Sequence, residues 1–408
     1  MELRSSQVNR CEVADIFRKH LKDYKQGHNL SYEQTRVANA IMRCRTPAMG
    51  GVLKSCSNGC GHWEFSYRSC KNRHCPKCGS FEKAQWLEAQ KIWLLPIPYF
   101  HVVFTIDHVF NPLVWWNQEV MYAHLIETAA RLLKTYGQKY LGGEIGFTLV
   151  LHTWGQNIQR HPHLHFIVTG GALVSTSQGY CWQAARRGYL FPVKMLSRDF
   201  LSAFCLGVKK LWQEGQLNTQ DGNLDVGAML AIAEKKDWEV YIQSPLYGPE
   251  KLIEYLGRYI FRIAISNHRI LDLDVGLVRF SYFDNRDDGK LKEMTIPAVE
   301  FIGRFLSHVL PNRFVRIRHF GLHHGSCRKK LQQARRLFGL SMQLPVILRL
   351  KLLEWLKQIL QIETDPRLCP ICKQGILMPS RQFGPVLGWR EHLLPLLGLF
   401  ERWKFAAL

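Results

Sequence analysis

Three groups of residues in this chain have types and spacings that can do chemistry. The first is His161-Pro162-His163-Leu164-His165, which opens the apolar run Phe166-Ile167-Val168. Side chains alternate between the faces of a strand, so His161, His163 and His165 project the same way and two neighbouring imidazoles can chelate one ion. Pro162 disturbs the geometry beside His161, which leaves His163 and His165 as the principal pair. A turn near Arg160 could bring Gln156 back beside them as a third ligand. Mg²⁺ or Mn²⁺ held there could polarise a phosphodiester. A His-x-His on a strand also serves as a structural pair or in a zinc hydrolase, and His152 reads as structural.

The second group is Tyr255-Leu256-Gly257-Arg258-Tyr259. Residues four apart on a helix lie one above the other. A phenol is a weak nucleophile at its ordinary pKa of about 10. Beside a metal-polarised phosphate it can attack, and the covalent link keeps the phosphodiester energy for rejoining. Arg258 and Arg262 could clamp the backbone at the scissile bond. Aromatic residues at this spacing also pack ordinary cores.

The third group is a run of cysteines. Cys56-Ser-Asn-Gly-Cys60 and Cys75-Pro-Lys-Cys78 are close pairs separated as in a zinc ribbon, with each knuckle supplying two thiolates to Zn²⁺. Four thiolates leave no open position, so such a site is structural. Its loop presents Arg68, Lys71 and Arg73 to a polyanion. Cys70 and His74 are alternate ligands, while Cys44 and His62 read as a buried thiol and a loop histidine. Cys369-Pro-Ile-Cys372 is half a site, with His323, His324 and Cys327 as the nearest partners, or a turn with two unliganded thiols.

These groups need elements to position them. Residues 1–45 interleave apolar and polar positions as helices do. A charged helix is expected over 82–91, and Leu95-Pro96-Ile97-Pro98 marks a boundary. Strands are expected over 101–106, 146–153 and 163–168, with a helix over 113–136 closed by Gly137. The 195–235 region reads as helical, and 238–242 as a short strand. Pro249 starts a helix over 249–265, whose apolar residues Leu252, Ile253, Leu256, Tyr259, Ile260 and Ile263 recur at helical spacing. Strands over 275–283 and 292–296 flank an Asp287-Asp288-Gly289 turn, and the remainder reads as helical and basic.

Composition bounds the partners. The 408 residues are 47% hydrophobic and carry 54 Lys and Arg against 33 Asp and Glu, a formal net charge of +21. That is enough apolar material for two or three domains, and enough positive charge to favour a phosphate polymer through counterion release. Residues 1–25 are polar, with no secretory apolar core, and no apolar run is long enough to span a membrane. Clustered rather than dispersed cysteines point to metal in a reducing compartment, so a cytoplasmic, nucleoid-associated protein is expected.

Taken together and in order, these motifs resemble the rolling-circle insertion-sequence transposases of the two-tyrosine HUH type, the IS91 group. The resemblance is carried by Cys44-Arg45-Thr46-Pro47-Ala48, Gly50-Gly51, the Cys56 and Cys60 knuckle, and 69–78 in the first part. In the centre it is carried by 152–157, the histidine motif, Thr169-Gly170-Gly171 and 255–259, followed by Ala264-Ile265-Ser266-Asn267 and Arg318-His319-Phe320-Gly321. It implies an α+β architecture: an HUH endonuclease domain with a central antiparallel sheet flanked by helices, preceded by a helical zinc-ribbon domain and followed by a basic, mostly helical region. The expected boundaries are 1–92, 95–300 and 301–408. It implies that Tyr255 and Tyr259 are both nucleophiles, forming 5′-phosphotyrosine links to single-stranded DNA at transposon ends and targets.

A rolling-circle replication initiator or relaxase-like nicking enzyme shares the histidines and a tyrosine; the N-terminal zinc domain and the second tyrosine favour the transposase. A zinc amidohydrolase needs about eight strand–helix units, more than this pattern supplies. A non-catalytic DNA-binding protein would use the ribbon alone.

Overall fold

The computed structural model describes residues 11–220, 222–248, 251–252, 263–284, 287–344, 365 and 367–385. Tyr255, Tyr259, Arg258 and Arg262, with most of the helix expected over 249–265, lie outside the described residues. The architecture is α+β with antiparallel sheets. No described helix is long and apolar enough to cross a membrane.

Two helices come first in the described residues. α1 (Val13–Gly27) starts at a reciprocal capping box between Glu12 and Asp15, and α2 (Tyr32–Arg43) at one between Ser31 and Gln34. Each box satisfies N–H groups that a helix start leaves without partners. α1 buries Val13, Ile16, Phe17, Leu21 and Tyr24 on one face. The cysteine-rich segment follows, with a hairpin of β1 (Gly51–Cys56) and β2 (Trp63–Tyr67), then α3 (Ser80–Gln90).

The central sheet has five strands: β3 (Tyr99–Thr105), β4 (Gly146–Trp154), β5 (Arg160–Thr169), β8 (Val240–Leu246) and β12 (Ile317–Gly321), in the order β12-β4-β5-β3-β8. Alternation gives it two faces. Phe100, Val102, Phe104, Phe147, Leu149, Leu151, Leu164, Phe166 and Val168 form the core face. α5 (Gln118–Leu141) and α6 (Val193–Gln213) pack there, through residues such as Leu125, Leu133, Phe200 and Phe204. The opposite face of the same strands carries the histidines.

Several expectations needed correction. The helix placed over 113–136 breaks at Asn117, giving α4 (Asn111–Trp116) and α5, and α5 runs past Gly137 to end at Gly142 in the left-handed region (φ +68°). Gly137 sits against the Ile145 side chain, so its small size serves packing rather than termination. A β6–β7 hairpin (Gly171–Thr176, Gly179–Ala184) follows β5. Between α6 and β8 stands α7 (Val226–Glu234). The 275–283 and 292–296 strands gain a third partner, giving β9 (Ile270–Asp274), β10 (Leu277–Asp284) and β11 (Lys290–Pro297).

Residue 300 lies within a helix. α8 (Ala298–Leu306) lies against α1, with Phe17 and Phe305 meeting edge to face at 5.4 Å. β12 joins the central sheet beside β4, and α9 (Arg328–Leu337) follows it. β13 (Leu377–Phe383) pairs antiparallel with β1, so the first ribbon is completed by a strand from the far end of the chain.

Candidate functional site

His163 and His165 stand on β5, on the face opposite Leu164 and Phe166, as strand alternation requires. β4 pairs with β5 so that His152 is directly opposite His163. One ring nitrogen from each of His152, His163 and His165 falls within a group whose atoms all lie within 4.8 Å of one another. His152, read from the sequence as structural, is therefore the third member of the cluster. Gln156, the expected third member, lies in the turn after β4, where Gly155 donates to Gln159, and its carbonyl accepts from Arg269. His161 stands at the start of β5, stacked on His108, outside the group of three.

Neighbouring groups set which nitrogen of His163 and of His165 carries a proton. His163 Nδ1 lies 2.7 Å from the His161 carbonyl and must donate to it, which puts the lone pair on Nε2. For His165 the orientation is relayed. Gln243 Oε1 on β8 can only accept, so His101 Nδ1 donates to it at 3.2 Å. His101 Nε2 then accepts from His165 Nδ1 at 2.8 Å, and the His165 lone pair is on Nε2. Outer partners of this kind fix the ring and raise the basicity of a metal ligand. Burial holds His163 and His101 down to about 4, so both imidazoles stay neutral near pH 7, the state a ligand needs.

His101 is a neighbour of the cluster that motif reading passed over. The signal available was a polar residue alternating with Phe100, Val102 and Phe104 on an otherwise apolar strand.

The thiols form two quartets, not one. Cys44, Cys70, Cys75 and Cys78 converge, and separately Cys56, Cys60, Cys369 and Cys372 converge, each set with all sulfurs within 4.8 Å. The expected grouping of Cys56 and Cys60 with Cys75 and Cys78 is thus corrected: each knuckle finds another pair. Cys44, read as a buried thiol, is in the first quartet together with Cys70. His74 and His62 are in neither; His62 faces Glu64 at 3.6 Å. The suggested partners of Cys369 and Cys372 lie elsewhere: Cys327 donates to Glu144, His324 meets Ser326, and His323 meets Thr148.

The first quartet fits a zinc ion. Cys44–Cys78 and Cys70–Cys78 sulfur separations are 3.3 and 3.7 Å. A tetrahedron with Zn–S bonds of about 2.3 Å has edges of roughly 3.8 Å. The Cys70 amide also donates to Cys44 Sγ, the kind of contact that stabilises thiolate. The Cys75 thiol's hydrogen bond pulls Cys70 down, while burial pushes Cys44 up. Four thiols this close cannot all ionise without a cation to offset their charge.

Of the basic residues expected at DNA, Arg73 donates to the carbonyls of Phe314 and Pro311, tying the knuckle to the segment before β12. Arg68 donates to Gln382 on β13. Lys71 is exposed beside Cys70.

A sheet bearing a histidine cluster is joined to a cysteine-rich module, and comparison with known proteins gives the class. Residues 146–330 match the family model described as "Putative transposase", and residues 16–106 match the transposase zinc-binding domain. The chain is 40% identical over 391 residues to "Putative transposase y4qJ" of Sinorhizobium fredii, covering 92% of this chain and 96% of that one. It is 28% identical over 294 residues to the transposase for insertion sequence element IS801 of Pseudomonas savastanoi pv. phaseolicola, covering 71% of this chain and 70% of that one. No solved structure matches. The chain belongs to the IS91-type transposase family, with an N-terminal zinc-binding domain.

Proposed function

We propose that this transposase cleaves and joins single-stranded DNA through 5′-phosphotyrosine intermediates in rolling-circle transposition. The observation that carries the reading is the convergence of His152, His163 and His165, with His101 and Gln243 orienting one of them. His152, His163 and His165 would hold the divalent ion, whose role when bound is to neutralise charge on the scissile phosphate. Mn²⁺ or Mg²⁺ would supply that charge.

In the proposed step, a Tyr255 or Tyr259 phenolate oxygen bonds to phosphorus. The bond from phosphorus to the 3′ oxygen breaks, and that oxygen leaves as a 3′-OH after taking a proton. The phosphodiester is conserved as phosphotyrosine, so the reverse attack by another 3′-OH rejoins strands without an external energy source. Two tyrosines allow a second cleavage while the first strand end is still held. Arg258, Arg262 and Lys71 are proposed to contact the DNA backbone, whereas the contacts of Arg73 support the interior instead.

The test uses a labelled single strand carrying an element end, with Mn²⁺. Wild-type protein should become covalently labelled, and the variant with both Tyr255→Phe and Tyr259→Phe should not. Label transfer to the doubly substituted protein would sink the tyrosine assignment.

A further inference from the structure

Cys56 and Cys60 lie inside the N-terminal segment that matches a zinc-binding domain, but their neighbours Cys369 and Cys372 lie far outside it. Cys60 and Cys369 are 309 positions apart in sequence and their sulfurs 3.6 Å apart; Cys56 and Cys372 sulfurs are 3.5 Å apart. A disulfide brings its sulfurs to about 2.05 Å. The observed separations are instead close to the edges of a zinc tetrathiolate, roughly 3.8 Å.

We propose that Cys56, Cys60, Cys369 and Cys372 form a second structural zinc site, which clasps the C-terminal strand β13 onto the N-terminal ribbon.

The backbone around the four sulfurs is built for close approach. Ser57 N donates to the Ile376 carbonyl at 2.9 Å, and Ile376 N to Ser57 Oγ at 2.9 Å. Cys369 N donates to the Gly375 carbonyl at 2.8 Å, closing the second knuckle. The Gly375 amide also points at Cys372 Sγ, 3.4 Å away. A Cβ on Gly375 would stand 2.5 Å from Cys56 Sγ and 2.7 Å from Asn58, so only glycine lets the two knuckles meet. Lys373 takes φ +53°, which turns the chain sharply after Cys372.

Among the described residues, packing by itself does not account for this module. The buried apolar cluster at the quartet comprises Cys56, Cys369 and Leu377, with Cys372 against it. β2 has no buried residue, and β13 buries Leu377 alone. A sheet with so little apolar burial cannot offset the entropy of ordering its strands. Joining segments so distant in sequence adds the further cost of closing a long loop. Zinc–thiolate bonding is a source of folding free energy large enough to do both.

Native mass spectrometry of the full chain, with zinc counted independently by elemental analysis, tests the proposal. Wild type should hold two zinc ions per chain with every cysteine reduced. Cys369→Ser with Cys372→Ser should lose one ion, and so should Cys56→Ser with Cys60→Ser. Combining all four substitutions should lose no more than either pair, because both pairs hold the same ion. Cobalt(II) replacing zinc should lose half its thiolate charge-transfer absorbance in each variant. Should the variants fold poorly, wild type alone decides: a single zinc, or a mass short of two hydrogens from a Cys–Cys bond, overturns the proposal. Two ions retained after loss of Cys369 and Cys372 would overturn it equally. These readouts do not depend on DNA cleavage, so the catalytic reading can fail while this one stands, and the reverse.

Discussion

His163 and His165 were legible in the sequence because alternation on one strand is local information: two residues apart means the same face. His152 was not, because its place depends on how β4 pairs with β5. Gln156 lies in the turn that follows β4, whereas His152 is on the paired strand itself, directly opposite His163. His101 acts through another residue, so its role can be separated from ligation. His101→Phe should weaken metal affinity about 10- to 100-fold, and cleavage should recover at higher Mn²⁺. A metal titration that superimposes on wild type would contradict the relay. Two other buried histidines set a pH dependence. Burial pushes His308 and His323 down to about 3, against about 6.5 for a histidine in an unfolded chain. Between those values the unfolded state takes up protons that the folded state refuses, so stability is greatest above about pH 6.5 and falls as pH drops toward 3. Urea midpoints at pH 7.5 and 4.5 should show the fall, and His308→Gln should reduce it.

At the scale of elements, the histidine-bearing face depends on the face behind it. Phe166 is wholly buried on β5, edge-on to Phe104 at 5.3 Å and near Phe147 at 5.8 Å. It lies next to His165 but faces the opposite way. Phe166→Ala should cost about 3–5 kcal/mol of stability by leaving a cavity, read by chemical denaturation. Its neighbours on the helices, Phe200 and Phe204, belong to the same core. The strands carrying the histidines were foreseen from their β-branched and aromatic runs. β12 and β13 were not, because short strands such as Ile317–Gly321 and Leu377–Phe383 are set by their partners, β4 and β1, rather than by their own periodicity. The missed break at Asn117 has a similar cause: its side chain donates to the Asn218 carbonyl and accepts from the Asn218 amide, a tertiary contact that local propensity does not reveal.

Across the whole molecule, sequence order and spatial order diverge. The first helix packs on α8, the zinc-binding knuckle is tied by Arg73 to residues before β12, and the first ribbon takes its third strand from beyond residue 370. This is why two cysteine pairs at ribbon spacing suggested one metal site where the geometry holds two quartets. Net charge is the property read most directly from composition, and +21 should govern DNA binding. If about five phosphates are neutralised, affinity for a single strand should fall roughly 100-fold between 50 and 200 mM salt, measurable by fluorescence anisotropy. A flat salt response would mean that the basic residues do not meet the backbone. The central claim is that the histidine cluster drives attack by a tyrosine on single-stranded DNA. The direct measurement is tandem mass spectrometry of the protein after reaction with a short element-end strand and Mn²⁺. Wild type should yield a peptide carrying a 5′-linked nucleotide on Tyr255 or Tyr259, and His152→Ala should yield none while Gln156→Ala still does. A nucleotide on any other residue, or undiminished adduct with His152→Ala, would contradict the account.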